Sequence, residues 1–123
     1  MSKHKKLYHD EIIVSELTKI KVPIIDELRG LSLDFKAQSR SNETGFEHIA
    51  KGYHDLKPKD VKIIPEVIKK PCFHSKDKRY PRTYCYYHKR KGDPNNYVKV
   101  VVKVDTDLKT GFISSVFIAK KLK

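Results

Sequence analysis

The sequence predicts an α+β fold, with N-terminal helices packed on a C-terminal antiparallel β-sheet built as a three- to four-stranded meander. Three observations carry that expectation. Apolar residues in the first half recur at helical intervals, the stretch Tyr97–Val104 alternates as a strand does, and dense turn chemistry separates the candidate strands of the last third. At 123 residues the chain is read as a single domain with one modest core.

Leu7, Ile12, Ile13, Leu17 and Ile20 predict a helix over 8–20. Pro23 interrupts it. Ile24, Ile25, Leu28, Leu31 and Leu33 continue the apolar pattern and predict a second short helix ended near Gly30. Residues 36–45 are polar and read as a loop. A helix over 46–53 would place Phe46, Ile49 and Ala50 on one face. Asp60 is positioned to cap the next helix, which turns Val61, Ile64, Val67 and Ile68 to the core. Pro65 kinks or splits that helix and Pro71 ends it.

The sheet begins with the Tyr-rich stretch Thr83–His88. Lys91 to Asn96 is a turn, and Tyr97–Val104 then sets Val98, Val100, Val102 and Val104 on one face. Asp105 to Gly111 is a second turn, followed by a strand over Phe112–Ala119. Short connections between consecutive strands make the arrangement antiparallel.

Lys and Arg number 27 against 15 Asp and Glu, a net charge of +12. Such a charge repels itself in the folded state and suits contact with phosphates, so RNA is the expected partner. An anionic surface or an acidic protein would also fit. No apolar run approaches the ~20 residues that span a bilayer, and no apolar segment follows the basic Met1–Lys6, so neither a membrane nor a signal peptide is expected. Two cysteines, Cys72 and Cys85, make no disulfide framework and suggest a reducing, cytosolic setting.

His48, Lys51 and His54 carry the first candidate chemistry. RNA cleavage without a metal needs one group to take the 2′-hydroxyl proton, another to protonate the leaving 5′-oxygen, and a cation to steady the phosphoryl oxygens. Imidazoles suit both proton transfers. The alternative is a set of solvated polar residues on a basic helix. From Arg79 to Lys91 cations and rings interleave, with Arg82, Tyr84, Lys89 and Arg90 between. Such a surface can hold phosphates and stack unpaired bases, although Tyr also favours half-buried strands. Cys72, His74, Cys85 and His88 offer two sulfurs and two imidazoles, but the spacing departs from paired zinc knuckles, so no metal and no cofactor are expected. Ser114 and Ser115 lie mid-strand, where one must face away from the core. No nucleophile elbow, phosphate loop or paired-carboxylate motif is present.

The order His48-Ile49, then His54, then a helix running through Ile64-Pro65-Glu66-Val67-Ile68 into Pro71, a Tyr/Arg strand, a valine strand and a last strand ending Ile113-Ser114-Ser115-Val116-Phe117 resembles the phage and toxin members of the barnase–EndoU–colicin D–RelE-like ribonuclease superfamily. The resemblance covers about residues 46–119, a nuclease-like core, and leaves 1–45 as an N-terminal helical extension. It implies a metal-independent endoribonuclease, a toxin or phage-type effector acting in the cytosol by 2′-hydroxyl transesterification. tRNA is a possible substrate, and an acidic immunity or antitoxin protein a possible partner. By position His48 and His54 stand for the family's acid–base pair. Lys51, Arg82 or Lys99 would supply the stabilising cation, and Tyr84 and Ser115 would orient the phosphate. Ser115 departs from the family's usual Thr but retains a hydroxyl. Arg79, Lys89, Arg90, Lys91 and Lys99 would bind the RNA backbone. The rival expectation is a non-catalytic RNA- or DNA-binding protein using the same basic surface.

Overall fold

The valine alternation of residues 97–104 becomes the middle of a sheet. A computed structural model describes residues 2–35, 45–52 and 55–122, with side chains from His9 onward. Among them the strands are β1 (Ile24–Asp26), β2 (Leu31–Phe35), β3 (Phe73–Lys76), β4 (Thr83–Arg90), β5 (Asp93–Val104) and β6 (Thr110–Ala119), in the spatial order β1-β2-β6-β5-β4-β3. The helices are α1 (Ser2–Thr18), α2 (Gly45–Gly52), α3 (Pro58–Lys62) and α4 (Ile64–Lys69).

The α+β class is observed. The sheet is larger than the expected three- to four-stranded meander, and it is mixed. Strands β3 to β6 form an antiparallel meander, while β2 joins β6 in parallel, Ser32 opposite Thr110 and Phe35 opposite Ile113. The segment expected as a second helix is instead the β1–β2 hairpin. Leu31, Leu33 and Phe35 are buried on alternate positions, a period of two, and Pro23 and Gly30 punctuate the segment. The stretch before the Tyr-rich strand also pairs, as the short edge strand β3. The turn after β4 narrows to Lys91-Gly92, with Gly92 at φ +76°, and β5 already begins at Asp93.

Val98, Val100, Val102 and Val104 face inward with Ile113, Val116 and Ile118. Against them pack Ile13 and Leu17 of α1, Ile49 and Ala50 of α2, and Ile64, Val67 and Ile68 of α4. Pro65 splits the expected helix as its missing N–H requires, leaving α3 and α4 on either side of Ile63. Asp60 does not precede the helix as expected: Lys57 is the N-cap, and Asp60, the third residue of α3, reaches back to accept the Lys57 N–H at 2.9 Å. At Gly111 an added Cβ would sit 2.6 Å from the Lys103 carbonyl, so only glycine lets β6 lie this close to β5.

The sheet curls around this core. In a flat sheet β1 and β4, four places apart, would be about 19 Å from each other. Here the Tyr86 hydroxyl on β4 donates to Asp26 on β1, and α4 contacts β1, β4 and β5 together. Twist of successive strands accumulates in one sense and bends the sheet over α4.

Candidate functional site

Strand alternation decides which side of the sheet each candidate occupies. Tyr84, Tyr86, His88 and Arg90 pair with inward valines or share their parity and lie on the inner, helix-bearing face. Thr83, Cys85, Tyr87 and Lys89 lie on the outer face, with Tyr97, Lys99, Val101 and Lys103 of β5. A bulge in the β5–β6 register between Val101 and Val102 leaves Ser115 opposite Val101 on the outer face and Ser114 as the extra residue.

One row crosses four strands on that outer face. Phe73 pairs with Tyr87, Tyr87 with Lys99, and Lys99 with Phe117. The Lys99 ammonium lies 5.3 Å from the Tyr87 ring centroid and 5.0 Å from that of Phe117, within cation–π reach of both. Phe73 tilts against Tyr87 at 5.6 Å and is itself 36% exposed. Lys89 and Lys103 are exposed on the same face. The cations therefore lie beside rings.

At the Phe117 end the row meets α2. Strand β2 pairs only with residues 110–113 of β6, and α2 packs against β6. Between them a pocket of about 210 Å³ is lined by His48, Ile49, Gly52, Ser115, Val116 and Phe117. His48 and Ser115 of the expected catalytic set thus line one pocket. Lys51 is exposed one turn beyond His48. His54 lies outside the described residues.

The other candidates separate from that pocket. Tyr84 lies on the inner face of β4, two strands from β6, and Arg82 stands in the turn before β4 with φ +61°. Neither joins His48 and Ser115, because β5 intervenes and Tyr84 has the opposite parity to Ser115. Arg79 and Lys91 are exposed in turns. Arg90, expected to hold RNA, is buried: it shares the inward parity of Tyr86, and its Nε and Nη2 donate to Asp60 at 3.0 Å each. These bonds to Asp60 push the Arg90 guanidinium further toward its charged form. Cys85 faces outward while His74 and His88 face inward, so the four candidate zinc ligands do not converge. Burial pushes the Cys85 thiol up, away from thiolate.

A second constellation was not anticipated from sequence. Asp26 is fully buried and accepts from the Tyr86 hydroxyl and from the Leu28 N–H at 2.9 Å. Arg29, in the β1–β2 turn, donates Nη1 to Tyr86 at 3.2 Å and Nη2 to His74 Nδ1 at 3.1 Å, and its guanidinium lies 4.2 Å over the Tyr84 ring. Burial, then the Asp26 carboxylate, holds the Tyr86 hydroxyl far above the ordinary tyrosine range. In the unfolded chain that hydroxyl ionises near pH ~10. Its share of stability is complete below that pH and is lost as pH climbs toward the raised native value. Urea midpoints between pH 8 and 11 are expected to fall less steeply for Tyr86→Phe than for the parent. Parallel curves would contradict the assignment.

Compared with protein-family models, curated proteins and solved structures, the chain gives no match.

Proposed function

We propose that the protein binds single-stranded RNA along the outer face of β3–β6. The observation that carries this reading is the cross-strand row Phe73–Tyr87–Lys99–Phe117, flanked by Lys89 and Lys103. Phe73, exposed, and Phe117, half-buried, offer unpaired bases a stacking surface on either side of the buried Tyr87, and the ammonium groups meet the phosphates between them. The net charge of +12 adds a long-range field of the same sign.

Fluorescence anisotropy with a labelled oligouridylate tests it. Affinity is expected to fall on the order of a hundredfold or more from low to physiological salt. Lys99→Ala should lower the salt slope by about one, since one phosphate contact is lost. Phe73→Ala should cost affinity by about 1–3 kcal/mol, the worth of one stacked base. Salt-independent binding, or unchanged affinity in both variants, would sink the reading.

A second reading is supported by the pocket that His48 shares with Ser115. Beside Phe117, where the row ends, His48 and Ser115 line one small space. An RNA strand laid on the row would meet them there, so cleavage by proton transfer through His48 is proposed at this end of the face. His48 would take the 2′-hydroxyl proton as that oxygen attacks phosphorus, water would protonate the departing 5′-oxygen, and Ser115 would hydrogen-bond a phosphoryl oxygen.

A further inference from the structure

Arg29 is held from below and from the side before any ligand arrives. Asp26 Oδ2 lies 3.8 Å from Arg29 Nη1, the Tyr86 hydroxyl accepts from the same nitrogen, and the Tyr84 ring supports the guanidinium plane. Its Nη2 meets His74 Nδ1 at 3.1 Å. An arginine has only donors, so Nδ1 must accept, and the neutral imidazole then carries its proton on Nε2. His74 is exposed on β3, which pairs with β4 alone, and Lys76 is exposed two residues on, on the same face and opposite Tyr84. Asp26, the carboxylate paired with Arg29, is fully buried. An oriented guanidinium, an imidazole N–H and an ammonium therefore stand together at the edge of the sheet, on the face opposite the proposed RNA row.

We infer that Arg29, His74 and Lys76 form a phosphate-binding site at the β3 edge, with Asp26, Tyr84 and Tyr86 as its positioning residues. A phosphate group offers several acceptor oxygens, and these three side chains supply donors and positive charge on one side of it. Fixing Arg29 beforehand removes the ordering cost that a free surface arginine would incur on binding. The site does not depend on the outer-face row.

The test is nitrogen-correlated NMR of the histidine side chains in the full chain, titrated with inorganic phosphate at constant ionic strength. The His74 resonances are expected to move and saturate, and sodium chloride at matched ionic strength should not reproduce the shift. Lys76→Ala and Arg29→Lys should each raise the midpoint by about tenfold, the worth of a charge-assisted hydrogen bond. Lys76→Ala alters an exposed side chain, which keeps the test independent of folding. Lys99→Ala should leave the midpoint unchanged, and this separates the site from the RNA-binding row. A shift that follows ionic strength, or equal midpoints in parent, Lys76→Ala and Arg29→Lys, would overturn the proposal. Competition by short oligouridylates then names the source of the phosphate. Stronger competition by the 5′-phosphorylated than the 5′-hydroxyl oligomer points to a chain end. Equal competition points to the backbone, and competition by neither points to a small free phosphate.

Discussion

Asp60→Ala is expected to destabilise the fold by up to about 3–5 kcal/mol, because it removes the fully buried counter-charge of Arg90 and leaves it only the partly exposed Asp55 and Asp93. The Arg90 side chain is 6% exposed and Asp60 is fully buried. Arg90 binds both Asp60 oxygens and also reaches the Asp55 carboxylate at 3.2 Å and its carbonyl at 2.9 Å. Asp60 meanwhile accepts the Lys57 N–H that opens α3. One change therefore removes an ion pair, a helix cap and the tie between α3 and the end of β4. Replacing both partners, as Asp60→Leu with Arg90→Met, should be less destabilising than Asp60→Ala alone, since no charge is then stranded. Urea unfolding followed by circular dichroism measures both. A loss below about 1 kcal/mol for Asp60→Ala, typical of an exposed pair, would show that the network is ornamental to stability.

His48→Ala is expected to reduce RNA cleavage by ~10²–10⁴-fold while RNA affinity at pH 7 changes little. His48 is exposed on α2 and absent from the apolar core, so the fold should survive its removal. Lys99→Ala should behave in the opposite sense, with weaker binding and a rate at saturation close to the parent's, because Lys99 lies beside Phe117 and is not among the residues lining the pocket. Ser115→Ala should fall between the two, losing one hydrogen bond to the phosphoryl oxygens. Cleavage and affinity are measured in parallel, in excess EDTA, with analysis of product ends. Parent-like cleavage by His48→Ala would dismiss the pocket as a catalytic site and leave the RNA-binding reading alone.

The last third of the fold was legible because its signals are local. Four valines at a spacing of two mark the inner face of β5, and Gly92 marks the turn before it. Strands β1 and β2 were hidden because Ile24, Leu28 and Leu31 also fit a helical stripe, and a three-residue strand carries almost no periodicity of its own. The place of β2 beside β6 depends on pairing across nearly eighty residues of chain. Arg90 was misread for a related reason. It sits in the basic run Lys89-Arg90-Lys91, yet it has the parity of Tyr84 and Tyr86, and that parity decides burial. The pocket was half legible, since His48 and Ser115 were each selected by residue type before any contact between α2 and β6 was known. Asp26, Arg29, His74 and Tyr86 gave no joint signal, because only the curl of the sheet brings β1 against β4.

The parallel pairing of β2 with β6 also sets the order in which the molecule can be made. Ser32 waits for Thr110, so the hairpin of β1 and β2 emerges from the ribosome long before its partner strand exists. The antiparallel meander closes through short loops, whereas β2 must close a span of nearly eighty residues, and loop closure of that kind slows folding. During synthesis Leu31, Leu33 and Phe35 therefore stay without their β6 neighbours until residues 110–113 are delivered.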